Sequence, residues 1–100
     1  FAPTSHALTD LQKTVLNHLV KHRLMSELCD RAPEEDYYAA VIEKHALSDE
    51  LWTNEEAARE GGYFNARVLR GKLQYDQRTV DAARWKRSCD AYFHTLTTYD

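Results

Sequence analysis

The spacing of apolar side chains between positions 11 and 28 is the feature that most constrains the fold of this chain. These side chains recur at steps of three and four residues, which places them in one stripe along an α-helix. Directly before the stripe, Thr9 and Gln12 have the spacing of a capping box, in which each side chain binds a backbone N–H of the first turn. The sequence therefore predicts a helix over residues 10–29. The stripe comprises Leu11, Val15, Leu16, Leu19, Val20, Leu24, Met25 and Leu28.

Glycine and proline, which interrupt helices, are scarce in this chain. There are three glycines and two prolines among 100 residues, and this favours long helices over strands joined by tight turns. Pro33 suits the first position of a second helix, which we expect to run to about Ala46. Thr53 begins a second capping box, and the helix it starts is expected to stop at Gly61 and Gly62.

The last part of the chain predicts two further helical segments. The first follows residue 63 and is expected to end near Gly71. Asp76 is a candidate N-cap for the second, which we expect to cover residues 77–97. Its apolar residues are spaced 3, 4, 3 and 4 apart, as at the a and d positions of two heptads. They are Ala82, Trp85, Cys89, Tyr92 and Leu96.

These elements together predict an all-α fold, a compact bundle of four or five helices with short connections. The chain is 43% hydrophobic and 29% charged, which is typical of a globular domain and not of a disordered one. We expect residues 1–8 to form a flexible N-terminal arm, residues 9–97 a single helical domain and residues 98–100 a frayed C-terminus. The two long helices near the termini are expected to supply most of the core.

The two cysteines, Cys29 and Cys89, lie sixty positions apart and form no Cys-x-x-Cys motif. Both fall at helical, partly apolar positions, so two free and half-buried thiols are the favoured interpretation. One disulfide that pins two helices together is the alternative.

Charge is unevenly distributed along the chain. Residues 1–60 carry six basic and twelve acidic side chains, whereas residues 61–100 carry seven and four. This asymmetry indicates attraction between the two halves or a surface that steers a charged partner. A nucleic-acid-binding domain is therefore the alternative function, although the net charge of −3 weighs against it. Its basic residues would be Arg67, Arg70, Lys72, Arg78, Arg84, Lys86 and Arg87.

Motifs for catalysis or cofactor binding are missing from the sequence. It has no Gly-x-Ser-x-Gly elbow, no glycine-rich phosphate loop and no Glu-x-x-His pattern. We therefore expect a non-catalytic protein without a cofactor. His18 and His22 share one helix face, but they lie beside the apolar stripe and have no acidic third ligand close by in sequence. This pair indicates surface histidines and not a metal site.

Large aromatic rings are numerous for so small a core. They make up 11% of the chain, and adjacent pairs occur at positions 37–38, 63–64 and 92–93. Neighbouring helical residues point about 100° apart, so one ring of each pair could face a second surface, unless the core face is broad enough for both. Because exposed Tyr, Trp and Arg are typical of interfaces, we expect an accessory or adaptor subunit that binds another protein or its own copy. The predicted contact residues are Tyr38, Tyr63, Phe64, Arg67 and Arg70.

No run of apolar residues is long enough for a transmembrane helix, so we expect no membrane insertion. The chain begins with Phe1 and not with Met, which indicates a processed or trimmed N-terminus. The compartment is therefore open. We expect a soluble protein of the cell interior or an organelle lumen in preference to a secreted one.

Overall fold

The described residues form four α-helices and contain no strand, which confirms the all-α fold class. The computed structural model describes residues 8–47 and 66–99, with the backbone alone for residues 66 and 67. The helices are α1 (Asp10–Leu28), α2 (Glu35–Lys44), α3 (Ala66–Arg78) and α4 (Ala82–His94). The helix expected after residue 53 and nearly all of the expected N-terminal arm lie outside the described residues.

The capping box that the sequence predicts for α1 is present. The backbone N–H of Gln12 donates to Thr9 Oγ1 at 3.0 Å, and the N–H of Thr9 donates to Gln12 Oε1 at 3.0 Å. Gln12 Nε2 also donates to the carbonyl of His45, at 3.0 Å. One side chain therefore both caps the start of α1 and joins it to the end of α2.

Both α1 and α2 end with a residue other than glycine in the left-handed region. Asp30 has φ 57° and Ala46 has φ 54°. After α2, the N–H of Leu47 donates to the carbonyl of Ile42 at 2.9 Å, the pattern of a Schellman turn. Such turns are usually made by glycine, because a side chain with a Cβ costs roughly 1–2 kcal/mol in this conformation.

The substitution Ala46→Gly should therefore stabilise the protein. Relief of the left-handed strain exceeds the greater conformational entropy of glycine in the unfolded chain, so we expect a gain of about 0.5–1 kcal/mol in the free energy of unfolding. Denaturant unfolding followed by circular dichroism measures it. The matched control is Ala40→Gly, an exposed position inside α2, which should lose about 1 kcal/mol. A loss at both positions would contradict the proposed strain.

The core is supplied mainly by α1 and α2. The expectation that the two terminal helices carry most of the core is wrong for α4, where Cys89 is the one buried residue of the helix. Trp85, Tyr92 and Phe93 of α4 pack against the edge of the core and stay partly exposed. Among the side chains that the structure describes, the buried apolar ones besides Cys89 are Val15, Leu16, Leu19, Val20, Leu24, Met25, Tyr38, Val41, Ile42, Leu47 and Leu73.

The boundary between α3 and α4 differs from the predicted one. Helix α3 continues through Gly71, where an added Cβ would meet nothing within 4 Å, so the glycine lies on an open helix face and not at a turn. Asp76 is consequently inside α3 and does not cap the last helix. Asp81 performs that role, since its carboxylate accepts from the N–H of Arg84 at 2.8 Å.

The C-terminal end is held against the rest of the protein at Tyr99, within the segment expected to be frayed. Its N–H donates to the hydroxyl of Tyr37 at 3.2 Å, and its carbonyl accepts from His45 Nε2 at 2.9 Å. The Tyr99 ring centroid lies 4.9 Å from that of His18. These contacts attach residue 99 to both α1 and α2.

Cys29 and Cys89 form a disulfide, so the favoured interpretation of two free thiols is wrong. Their Cα atoms are 5.9 Å apart, because the fold brings the end of α1 beside the middle of α4. Next to the disulfide, the carbonyl of Leu28 accepts from Trp85 Nε1 at 3.3 Å and from Gln77 Nε2 at 3.2 Å. The end of α1 is thus bound covalently to α4 and by hydrogen bonds to both α3 and α4.

Candidate protein-docking surface

Two of the five predicted contact residues have described side chains, and they lie in different environments. Tyr38 is 1% exposed and belongs to the core, so it is inaccessible to a partner. This corrects the expectation that Tyr38 is part of the contact surface. The Arg70 side chain is 40% exposed and forms an ion pair with Glu27 of α1. Outside the described residues lie Tyr63, Phe64 and the side chain of Arg67.

Tyr38 is buried because it packs on a histidine that is buried too. His22 is 0% exposed, its Nδ1 lies 2.7 Å from the Tyr38 hydroxyl, and its Nε2 lies 3.2 Å from a carboxylate oxygen of Glu34. His18 is half-buried, with Nε2 3.0 Å from the Tyr37 hydroxyl. The expectation of two surface histidines is therefore wrong. We call His18, His22, Tyr37 and Tyr38 the histidine–tyrosine cluster.

Adjacent aromatic residues in the described part of the chain pack towards the same imidazole. The ring centroids of Tyr37 and Tyr38 lie 5.7 and 5.2 Å from that of His22. Those of Tyr92 and Phe93 lie 6.4 and 5.3 Å from it. Both rings of each pair therefore lie within 6.4 Å of the His22 ring, although Tyr38 is the one of the four that is buried. The third pair lies outside the described residues.

Burial keeps the two histidines, His18 and His22, uncharged near neutral pH. Burial, together with a smaller effect of repulsion from His22, lowers the pKa of His18 from 6.5 to about 4. Burial also lowers the pKa of His22, although the Glu34 carboxylate opposes that shift. Burial raises the pKa of Tyr38. Glu34, His22 and Tyr38 stand in the order of a proton relay, and the Tyr38 phenol at its end is buried.

Within residues 8–47 and 66–99, no group of three or more His, Cys, Asp or Glu is placed to hold a metal ion. Sequence reasoning missed the burial of His22 because the i, i+4 histidine spacing carries no information about the tyrosines of another helix. A signal was present in the adjacent tyrosines at positions 37 and 38, on the apolar face of the second helix.

One face of α3 points away from the core and exposes large apolar side chains. Val68 is 59% exposed and Tyr75 is 60% exposed, and they stand two turns apart on the same side of the helix. Gly71 lies between them with open space around it. Lys72 and Arg78 are exposed beside them. We call these five residues the outer face of α3.

The outer face of α3 belongs to the basic part of the protein. Helices α3 and α4 contain seven basic and two acidic residues, whereas α1 and α2 contain four and five. On the other side of α3, Leu69 and Leu73 pack against the core. The helix therefore presents to solvent an apolar strip with positive charge beside it.

The character of the described helices and three comparisons with known proteins bear on what this chain is. No helix among the described residues combines the length and apolar character needed to cross a membrane. No known protein family, curated protein sequence or solved structure matches the chain. Its function must therefore be argued from the arrangement of its own residues.

Proposed function

We propose that this protein is a non-catalytic accessory or adaptor domain that binds another protein through the outer face of α3. The observation that supports this most strongly is the pair Val68 and Tyr75, each more than half exposed, on either side of an open glycine. Single exposed apolar residues are common and need no explanation. Two on one helix face with a glycine between them offer a flat strip against which an apolar partner helix can pack closely.

The partner is an acidic protein surface with an apolar centre. Lys72 and Arg78 stand beside the apolar strip, and complementary charge steers a partner and fixes its orientation. A second copy that used the same face would bring these two cations close to their own counterparts. Like charges placed together disfavour that arrangement.

The predicted contact residues fit this surface only in part. Arg67 directly precedes Val68 within α3, and Tyr63 and Phe64 lie three and two positions before its first residue in the sequence. We propose that the contact surface extends from the outer face of α3 towards these residues. Arg70 belongs to the opposite side of the helix, where it contacts Glu27.

We also propose that residues 9–97 form one compact domain, a bundle of four or five helices with short connections. A single core cluster unites buried residues of α1, α2 and α3, and Thr79–Asp81 is the short connection between α3 and α4. The disulfide supports an oxidising compartment, such as an organelle lumen or the cell exterior, because disulfides are rare in the cytosol.

A nucleic-acid-binding domain is the second candidate function. Arg84, Lys86 and Arg87 of α4 are exposed and could neutralise phosphates. The net charge of −3 weighs against it. A nucleic-acid binder should be retained on heparin with a steep salt dependence that weakens in Arg84→Gln and Arg87→Gln.

The docking proposal predicts that changes on the outer face of α3 dissociate the partner. The complex is isolated gently from the natural source, and native mass spectrometry measures how much of it each variant re-forms. Val68→Asp and Tyr75→Ala should each weaken binding at least about tenfold, as expected for side chains buried in an interface. The controls Arg84→Ala and His94→Ala change exposed residues of α4 and should bind within about twofold of the wild type.

Gly71→Ala separates loss of binding from loss of folding. Alanine should stabilise α3 in the free chain by about 1 kcal/mol, because glycine is the weaker helix former and the added methyl meets no neighbour. The same methyl should hold a partner helix off the apolar strip and weaken the complex. Equal binding by Val68→Asp and the wild type would contradict the proposal. Isolation of the protein from its natural source as a monomer without a partner would also contradict it.

A further inference from the structure

A cleft of about 620 Å³ lies on the side of α3 that faces α1, away from the outer face. Three arginines line it, namely Arg23 of α1, Arg31 of the α1–α2 connection and Arg70 of α3. Glu27 and Asp30 contribute two carboxylates. Charged side chains of both signs therefore line the cleft. We call it the arginine cleft.

Arg31 is fixed in the arginine cleft by the turn that ends α1. The left-handed residue Asp30, with φ 57°, reverses the chain, and the N–H of Arg31 donates to the carbonyl of Ser26 at 2.8 Å. The guanidinium carbon of Arg31 lies 4.1 Å from the ring centroid of Phe93. Stacking on Phe93 covers one face of this planar group and restricts its motion.

Arg70 is positioned across the cleft by a carboxylate. It forms an ion pair with Glu27, so its guanidinium already donates to a carboxylate of the chain itself. Because the Glu27 side chain is 56% exposed, it is free to move aside. Pro33 adds an apolar wall. The cleft therefore combines arginines that can donate hydrogen bonds to an oxyanion with a surface for the apolar part of a ligand.

We propose that the arginine cleft is a binding site for a small ligand carrying an oxyanion, namely a phosphate, sulfate or carboxylate group. Arg31 and Arg70 bind the oxyanion through their N–H edges, because the guanidinium fork matches its oxygens. Glu27 competes with the ligand for Arg70 and sets the affinity. This site lies apart from the outer face of α3 and does not depend on the docking proposal.

Titration of the full chain with pyrophosphate and, separately, with citrate tests the site. Backbone amide chemical shifts of Arg31 and Ala32 report binding at the cleft by NMR. Arg31→Gln and Arg70→Gln should weaken binding about fivefold or more, since each removes a charge-assisted contact. Glu27→Gln should tighten it about threefold, because the competing carboxylate is gone. Arg84→Gln, an exposed arginine of α4, is the matched control and should have little effect.

The two probes distinguish the sources of the oxyanion. Saturable shifts with pyrophosphate alone support a phosphate- or sulfate-bearing ligand, and shifts with citrate alone support a carboxylate ligand. Equal losses in Arg84→Gln and Arg31→Gln would show nonspecific attraction and overturn the proposal. Absence of saturable shifts with both probes would also overturn it. Thermal unfolding of each variant checks that its fold is retained.

Discussion

The double substitution Cys29→Ser and Cys89→Ser should lower the free energy of unfolding by about 3–4 kcal/mol. The disulfide closes a loop across a sequence separation of 60, so its loss gives the unfolded chain much more conformational freedom. Helix α4 depends on this bond more than the others do, because Cys89 is the one buried residue of that helix. For a domain of this size, whose total stability is roughly 5–15 kcal/mol, the loss is a large fraction.

Urea unfolding with and without a reductant measures this effect and supplies its own control. Reductant should destabilise the wild type by a similar amount and leave the double serine variant unchanged. Hydrogen exchange should accelerate first in α4, since the hydrogen bond from Trp85 to the Leu28 carbonyl depends on the same docking. A wild-type unfolding midpoint that does not respond to reductant would contradict the disulfide.

Acidification from pH 7 to pH 5 should destabilise the protein by about 2 kcal/mol through His18 alone. The pKa of His18 is about 4 in the folded protein, against an ordinary value of 6.5 for a solvated histidine, so the unfolded chain binds the proton first as pH falls. The stability from a neutral His18 is therefore complete above about pH 6.5 and is lost progressively towards pH 4, where the total loss is about 3 kcal/mol. His22 acts in the same direction, since its pKa is lowered as well.

The slope of the free energy of unfolding against pH distinguishes protonation of His18 from other effects of acid on the protein. His18 faces His22, Tyr37 and Tyr99, and none of these supplies a negative charge that would stabilise an imidazolium. His18→Gln should flatten the slope between pH 7 and pH 5 by about 2 kcal/mol. The control His94→Gln changes an exposed histidine and should leave the slope as it is. Equal slopes in His18→Gln and the wild type would refute the role of His18.

Features encoded by neighbouring residues could be predicted from the sequence. The start of α1 depends on the spacing of Thr9 and Gln12, and its length on the period of the apolar stripe, so both were correct to within a residue. The boundary between α3 and α4 was predicted wrongly, because a glycine such as Gly71 can lie on an open helix face as readily as at a turn. Asp76 and Asp81 are both good caps by type, and only the backbone shows which one acts.

Features that join distant parts of the chain could not be predicted. Pairing of Cys29 with Cys89 depends on where α1 ends relative to α4, and no local pattern reports that distance. The burial of His22 depends on tyrosines of α2 and on the rings of α4. The arginine cleft draws its cations from three separate segments. For the proposed docking surface, the composition predicted contacts through aromatic and arginine side chains. Tyr38 was among the predicted contact residues, but it is buried in the core.

Zero-length carbodiimide cross-linking of the complex isolated from its natural source tests the docking proposal most directly. This reagent joins a lysine amine only to a carboxylate in direct contact. Lys72 should link to aspartate or glutamate residues of the partner, because it lies on the outer face of α3, whereas the exposed Lys44 of α2 and Lys86 of α4 should not. Partner links at Lys44 or Lys86 without any at Lys72 would contradict the proposed surface.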